Sequence, residues 1–318
     1  MHGPNGEKNK LTKAQEEQVV AFVKKWRHKF FCTGPYIKLE LKLEASVRTI
    51  RRTLNRHGFY WRAVAKKTPL TPPQLAERKA FVTKHLNHTP GWWQEQMSLV
   101  LDGVTLTKAP QSLTGRQKHA AQAITNMWMR KGEKQDPKLH TYNRYGVQLG
   151  KKVPLWGGFT GSGTFALKLW THKPKMVKEE WAEYIPALKR SIDQVYGVAP
   201  RGTKRKVWLD NEGFLKNPSA YKKAGLVTVR FPPNSGDLNP IETVWARLRK
   251  DLAIREFEDL KADRVITVVQ FKQRAAQLLH SYGLKAPGER YSYLERLVRG
   301  MPARLAKCKN NRYGPCGK

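Results

Sequence analysis

Asp102, Asp210 and Glu242 are the residues whose types and settings could do chemistry. Asp102 closes the apolar run Met97-Ser-Leu-Val-Leu101, and Asp210 closes Lys206-Val-Trp-Leu209 just ahead of Asn211. Glu242 follows Phe231-Pro-Pro-Asn-Ser-Gly-Asp-Leu-Asn-Pro-Ile241. There Pro232 and Pro233 stiffen the approach, Asn234-Ser-Gly236 reads as a turn, and Asn239 can cap a helix with Pro240 at its first position. Each acid also has an ordinary reading. Asn-x-x-Glu is a capping pair in which the Glu reaches back to the cap's backbone N–H, and an Asp that closes a strand is often an Asx turn. The strand ends of an open α/β sheet are, however, also where ligand-binding and catalytic groups collect. Two acids at strand ends and one at a helix start form a set of hard oxygen ligands suited to Mg²⁺ or Mn²⁺.

The elements that must position these acids are legible from pattern. Thr12 and Gln15 read as a capping box opening a first helix, with Val19 and Val23 at helical spacing. A second short helix should begin at Pro35. A third should run from the cap Ser46 to Gly58, burying Val47, Ile50 and Leu54. Its outward residues are Arg48, Thr49, Arg51, Arg52, Asn55 and Arg56. That is the face a recognition helix lays in the major groove, although the same charges could simply be solvated. Lys66 and Lys67 begin a basic, proline-bearing linker suited to lying along a phosphate backbone. Gln74 to His88 reads as a connecting helix anchored by Leu75, Phe81, Val82 and Leu86.

Beyond Trp92 the pattern changes. A strand ends at Asp102 or continues through Val104 and Leu106. Lys152–Phe159 and Thr164–Trp170 form a hairpin around Thr160-Gly-Ser-Gly163, a turn that lacks the Gly-Lys-Ser/Thr ending of a phosphate loop. A helix over 175–196 follows, then a strand into Asp210, a short helix near Ala220, the strand Leu226–Phe231, and a helix from Ile241 with Val244, Trp245, Leu248 and Leu252 on one face. Residues 108–150 are basic and too long for a plain loop.

Composition narrows the partners. The 318 residues carry 60 Lys and Arg against 25 Asp and Glu, a formal charge of +35, which calls for a polyanion such as nucleic acid. Ten Trp and a 40% hydrophobic content are enough to build a folded core rather than a basic tail. No apolar run approaches the roughly 18 residues that span a bilayer and no secretory signal opens the chain, so the expectation is a soluble intracellular protein with no membrane partner. Cys32, Cys308 and Cys316 make neither a disulfide framework nor a zinc pattern.

Asp102, Asp210-Asn211 and Ser235-Gly-Asp-Leu-Asn-Pro-Ile-Glu242, in that order, resemble the DDE transposases of the Tc1/mariner and bacterial IS630 type, whose last motif usually has Pro where Gly236 stands. The run Ser46-Val-Arg-Thr-Ile-Arg-Arg-Thr-Leu-Asn-Arg-His-Gly58 is similar to their second helix-turn-helix, and Met301-Pro-Ala-Arg304 to their closing segment. The resemblance implies an RNase H-like α/β catalytic domain preceded by an all-α helix-turn-helix domain. It also implies a DDE endonuclease and strand transferase, with Asp102, Asp210 and Glu242 holding two Mg²⁺ or Mn²⁺ ions. The implied partners are the inverted repeats at transposon ends, target DNA and a second copy of the chain, with no small-molecule substrate and a nuclear location. The expected organisation is a DNA-binding domain over 1–64, a basic linker and connecting helix over 65–91, a catalytic domain over 92–285 and a basic tail over 286–318.

The chain departs from the family in places. Only ten residues precede Leu11, so the family's first helix-turn-helix is not expected in this sequence, either because this is a one-unit relative or because the start of the protein has been lost. Gly103 replaces the usual Glu after the first Asp, no His follows Asp210-Asn211 closely, and 31 residues separate Asp210 from Glu242, fewer than is usual. The alternative function is a domesticated or decayed transposase that binds a specific DNA sequence without cutting it.

Overall fold

The structure, a computed structural model, describes residues 11–26, 34–59, 70–122, 150–173 and 176–314. The chain divides into two compact units, Met1–Pro69 and Leu70–Lys318.

Among its described residues the first unit holds three helices: α1 (Lys13–Trp26), α2 (Gly34–Glu40) and α3 (Val47–Arg56). The expected capping box is present, with Thr12 N–H donating to Gln15 Oε1 and Gln15 N–H to Thr12 Oγ1. Ser46 caps α3 by accepting from Thr49 N–H. Val19, Val23, Ile37, Leu43 and Ile50 form the core, against which Leu54 packs half-buried. In α3, Ile50 and Thr53 point inward, so the arginines are left to the other face.

The second unit is built on a five-stranded sheet of order β3-β2-β1-β4-β5. Its strands are β1 (Leu99–Lys108), β2 (Lys151–Phe159), β3 (Phe165–Trp170), β4 (Arg205–Leu209) and β5 (Leu226–Arg230). β1, β2 and β3 pair antiparallel, while β1–β4 and β4–β5 pair parallel. Crossover helices supply the parallel returns: α7 (Lys178–Tyr196) leads from β3 to β4, and α8 (Pro218–Lys223) from β4 to β5. Period-two alternation sends Leu99 and Leu101 into a cluster with Trp181, Ile185 and Leu188 of α7. The opposite face carries Val100, Val104 and Leu106, packed with Val244, Trp245 and Leu248 of α9 (Ile241–Lys261). This strand order, covered by helices on both faces, is the RNase H-like arrangement.

The glycine-rich hairpin turn has a packing explanation. A Cβ on Gly161 would lie 1.9 Å from the Gln94 carbonyl of α5 (Pro90–Gln96), so only glycine permits the approach.

Three expectations change. The connecting helix is α4 (Pro72–His85), and it belongs to the second unit: Val82 is buried in the sheet's core, while Leu75, expected as an anchor, is exposed. Residues 286–314 are not a loose tail. α11 (Tyr293–Arg299) and α12 (Met301–Asn310) bury Leu294, Val298, Met301, Leu305 and Cys308 in the same core as α9 and α10 (Val268–Ser281). Their apolar spacing is helical, but nine basic residues between Lys285 and Lys318 disguise it. Finally, the long basic stretch begins with a helix, α6 (Leu113–Gln122); residues 123–149 lie outside the described residues.

If α11 is core, Leu294→Ala should destabilise the second unit by about 2–5 kcal/mol in urea titrations. A solvated tail would instead give a change within about 0.5 kcal/mol.

Candidate active site

β1 does not stop at Asp102 but runs six residues further, to Lys108. What ends near Asp102 is its pairing with β4, whose register couples Leu99 to Val207 and Val100 to Trp208. Continued two residues along both strands, that register sets Asp102 level with Asp210, where the strands part. Asp102 therefore stands on the same face as Val100 and Val104, facing α9. There Trp245 Nε1–H donates to Asp102 Oδ2 at 3.1 Å. Trp245 lies one helical turn after Glu242, so this bond ties the first turns of α9 to β1.

The aromatic rings near Asp102 need glycine around them. Asp102 is paired with Gly157 of β2, where a Cβ would lie 2.7 Å from the Trp245 ring. A Cβ on Gly103 would lie 2.8 Å from Trp156, and Trp156 packs edge-on against Phe214, just past Asp210, with ring centroids 5.4 Å apart. Gly103 thus has a local steric reason to depart from the family's Glu.

Asp210 leaves β4 in a tight turn of its own, Asn211 N–H donating to its Oδ1 at 2.8 Å. Arg230 on β5 donates to the Asp210 carbonyl, and the Asn211 side chain bonds the Phe231 carbonyl. These contacts fix the strand end against β5. Ahead of Glu242, Asn239 Oδ1 accepts from Ile241 N–H at 3.3 Å, and Pro240 occupies the helix's N-cap position, one residue later than the sequence suggested. The shortened segment between Asp210 and Glu242 still holds α8, β5 and the loop into α9. A Cβ at Gly236 would sit 3.4 Å from Glu242 Oε1, an ordinary contact.

The electrostatics couple Asp102 to the other two acids. The Asp102 carboxyl is pushed up from 3.8 to about 7, first by burial, then by the charge of Glu242 and, less strongly, that of Asp210; the Gly103 N–H and Trp245 oppose the rise. All three predicted carboxylates therefore share one field. Among the described residues no three His, Cys, Asp or Glu groups already close around a metal-sized space. Asp102, Asp210 and Glu242 are an oxygen-only donor set, whose chemistry suits a hard divalent cation.

The predicted DNA-contacting residues divide. Arg48, Arg51, Arg52 and Asn55 are exposed on α3, while Thr49 is half-buried with its hydroxyl against Ser46 Oγ. Arg56 is exposed but paired with Glu16 at 2.5 Å, so part of its charge is used within the unit. Lys66 and Lys67 lie outside the described residues. Sequence pattern read Trp245 only as an apolar-face residue; its spacing of three from Glu242 was the available sign that its indole N–H also serves the acids.

Because the folded Asp102 pKa of about 7 exceeds its ordinary 3.8, the folded state holds the proton more tightly, and stability falls as pH rises between those values. In metal-free buffer at pH 8, Asp102→Asn should melt above the wild type, by about 2–4 °C for each kcal/mol relieved. The gap should close toward pH 4. Equal melting at pH 8 would contradict the crowding.

Residues 114–262 match the family model for DDE superfamily endonucleases, a span that includes Asp210 and Glu242 and begins after Asp102. No curated protein matches the chain by sequence. Among solved structures, a Mos1 transposase paired-end complex with the left transposon end is similar at TM-score 0.66 and 12% identity, over 98% of this chain and 81% of that one. The Mos1 strand transfer complex is similar at TM-score 0.63 and 14% identity, over 98% and 80%. The mariner Mos1 paired end complex with Mg is similar at TM-score 0.63 and 14% identity, over 98% and 81%. Residues 114–262 are thus similar to the DDE superfamily endonucleases, and the chain shares the fold of the Mos1 mariner transposase.

Proposed function

We propose that this protein is a DNA transposase that binds the inverted repeats at transposon ends through α3 and cuts and rejoins DNA at Asp102, Asp210 and Glu242. The observation that carries this reading is that Trp245, one turn after Glu242 on α9, donates to Asp102 of β1, with the charges of Glu242 and Asp210 both bearing on that carboxyl. Helix capping alone would leave that convergence unexplained. The fold's neighbours are complexes of a transposase with transposon ends, including one with Mg and one with Mn.

In this reading Asp102 faces both other acids, while Asp210 and Glu242 each complete one side of the cleft. Two Mg²⁺ or Mn²⁺ ions, when bound, would supply an activated water and neutralise charge at phosphorus and on the leaving oxygen. The protein's own part is orientation. Trp245 fixes one oxygen of Asp102, the Asn211 amide fixes one oxygen of Asp210, and the rigid loop before α9 sets the height of Glu242. Water attack at the transposon end frees a 3′-hydroxyl, which then attacks target DNA in the same cleft. The exposed Arg48, Arg51, Arg52 and Asn55 of α3 suit duplex recognition, and Lys66 and Lys67 suit the phosphate backbone beside it. A second copy of the chain in the synaptic complex and nuclear residence belong to the same proposal.

Purified protein should nick duplexes bearing the element's inverted repeats with Mg²⁺ or Mn²⁺, and Asp210→Asn or Glu242→Gln should lower the rate at least about 100-fold. Unchanged nicking in either variant would remove that residue from the site, and specific binding without any nicking would return the protein to a DNA-binding role. Separately, Arg51→Ala with Arg52→Ala should weaken duplex binding and lower its salt slope by about 2, since each arginine neutralises one phosphate. An unchanged slope would move the DNA contact off α3.

A further inference from the structure

Asp237 lies in the loop that presents Glu242, four residues before the start of α9, and it is not exposed. Its side chain is 4% accessible and meets Arg78 of α4, whose side chain is 0% accessible. The pair is bidentate, Arg78 Nη1 donating to Asp237 Oδ1 at 2.9 Å and Nη2 to Oδ2 at 2.5 Å. The guanidinium also donates through Nε to the Tyr313 carbonyl at 2.7 Å and through Nη2 to the Gly314 carbonyl at 3.2 Å. One buried arginine therefore joins α4, the loop before α9 and the chain that follows α12.

A second arginine holds the same loop from α12. Arg304 Nη1 donates to the Asp237 carbonyl at 3.0 Å and the Asn239 carbonyl at 3.5 Å. Its Nη2 reaches Thr243 Oγ1 at 3.3 Å, in the residue next to Glu242. Tyr293 of α11 adds a hydroxyl to the Thr243 carbonyl. The loop's own turns are made by Ser235, whose hydroxyl donates to the Pro233 carbonyl, and by Asn234 at φ 51°. Those local turns shape the loop, but the arginines attach it to the rest of the unit's frame.

Energetics argue that the Arg78–Asp237 pair is there for position. Burying both charges costs several kcal/mol per ion, and well-packed apolar replacements of such pairs are often neutral or stabilising by about 1–4 kcal/mol. A buried, fork-to-fork pair is therefore a poor way to gain stability and a good way to fix geometry, because the planar guanidinium admits the carboxylate in one orientation. Groups that orient ligands from behind typically change metal affinity or activity by about 10–100-fold when removed.

We infer that Arg78 and Arg304 are positioning residues that latch the 235–239 loop from α4 and α12, so that Glu242 is held facing Asp102 and Asp210. The inference rests on the reading of Glu242 as the third acid. It gives the second unit's outlying helices a functional reason to be in the core, since α4 and α12 each deliver one arm of the latch.

The test is Mn²⁺ binding to the full chain without DNA, followed by electron paramagnetic resonance, with melting temperature measured alongside. Arg78→Met with Asp237→Leu removes both buried charges together, and Arg304→Met removes the other arm while leaving the buried pair intact. Each should melt within about 4 °C of the wild type, a change of about 1 kcal/mol, and bind Mn²⁺ at least about 10-fold more weakly. Should the paired variant fail to fold, Arg304→Met alone carries the test. Wild-type Mn²⁺ affinity in a folded latch variant, with weakened affinity in Glu242→Gln, would overturn the latch and leave the site standing. Wild-type affinity in Glu242→Gln itself would overturn the reading on which the latch rests.

Discussion

In the proposed site the charges of Glu242 and Asp210 bear on a buried Asp102, and holding that arrangement is the constraint the rest of the reading depends on. Left to themselves, carboxylates in such a place turn away, protonate or find a cation. Here they are held. The parallel register of β1 and β4 sets two of them level at the point where the strands diverge, and the first turn of α9 brings the third across from them. Asp102 shows the result, its carboxyl raised by burial and by both neighbours.

The details around the cleft follow from holding that arrangement. Trp245 donates to Asp102, and its ring occupies space that a side chain at position 157 would need. Trp156 excludes a side chain at 103 in the same way. The loop before α9 is tied down by Arg78 and Arg304 from opposite ends of the unit's sequence. The sheet supplies the platform, but the indoles and guanidinium groups set the aim.

Much of this was legible in the sequence because it is local. The apolar face of α9, the hairpin, the Ser46 cap and the order of strands all come from periodicity and turn chemistry acting over a few residues. The three acids could be found because each sits beside such a local signal. What could not be read is long-range. Arg78 and Asp237 are separated by 159 residues and neither stands in a pattern that marks it as buried. α11 and α12 were hidden by their charge: the exposed Arg296, Lys307 and Lys309 mask the burial of Leu294, Val298 and Leu305. Gly103 looked like a departure from the family until its neighbour Trp156, 53 residues away in sequence and paired to it across β1 and β2, was in view.

The most direct test of the central claim is anomalous diffraction from crystals of the full chain soaked with Mn²⁺. The account predicts Mn²⁺ peaks bounded by carboxylate oxygens of Asp102, Asp210 and Glu242, with Trp245 still bonded to Asp102. Mn²⁺ bound elsewhere, or Glu242 turned back onto the backbone that opens α9 with no metal beside it, would contradict it.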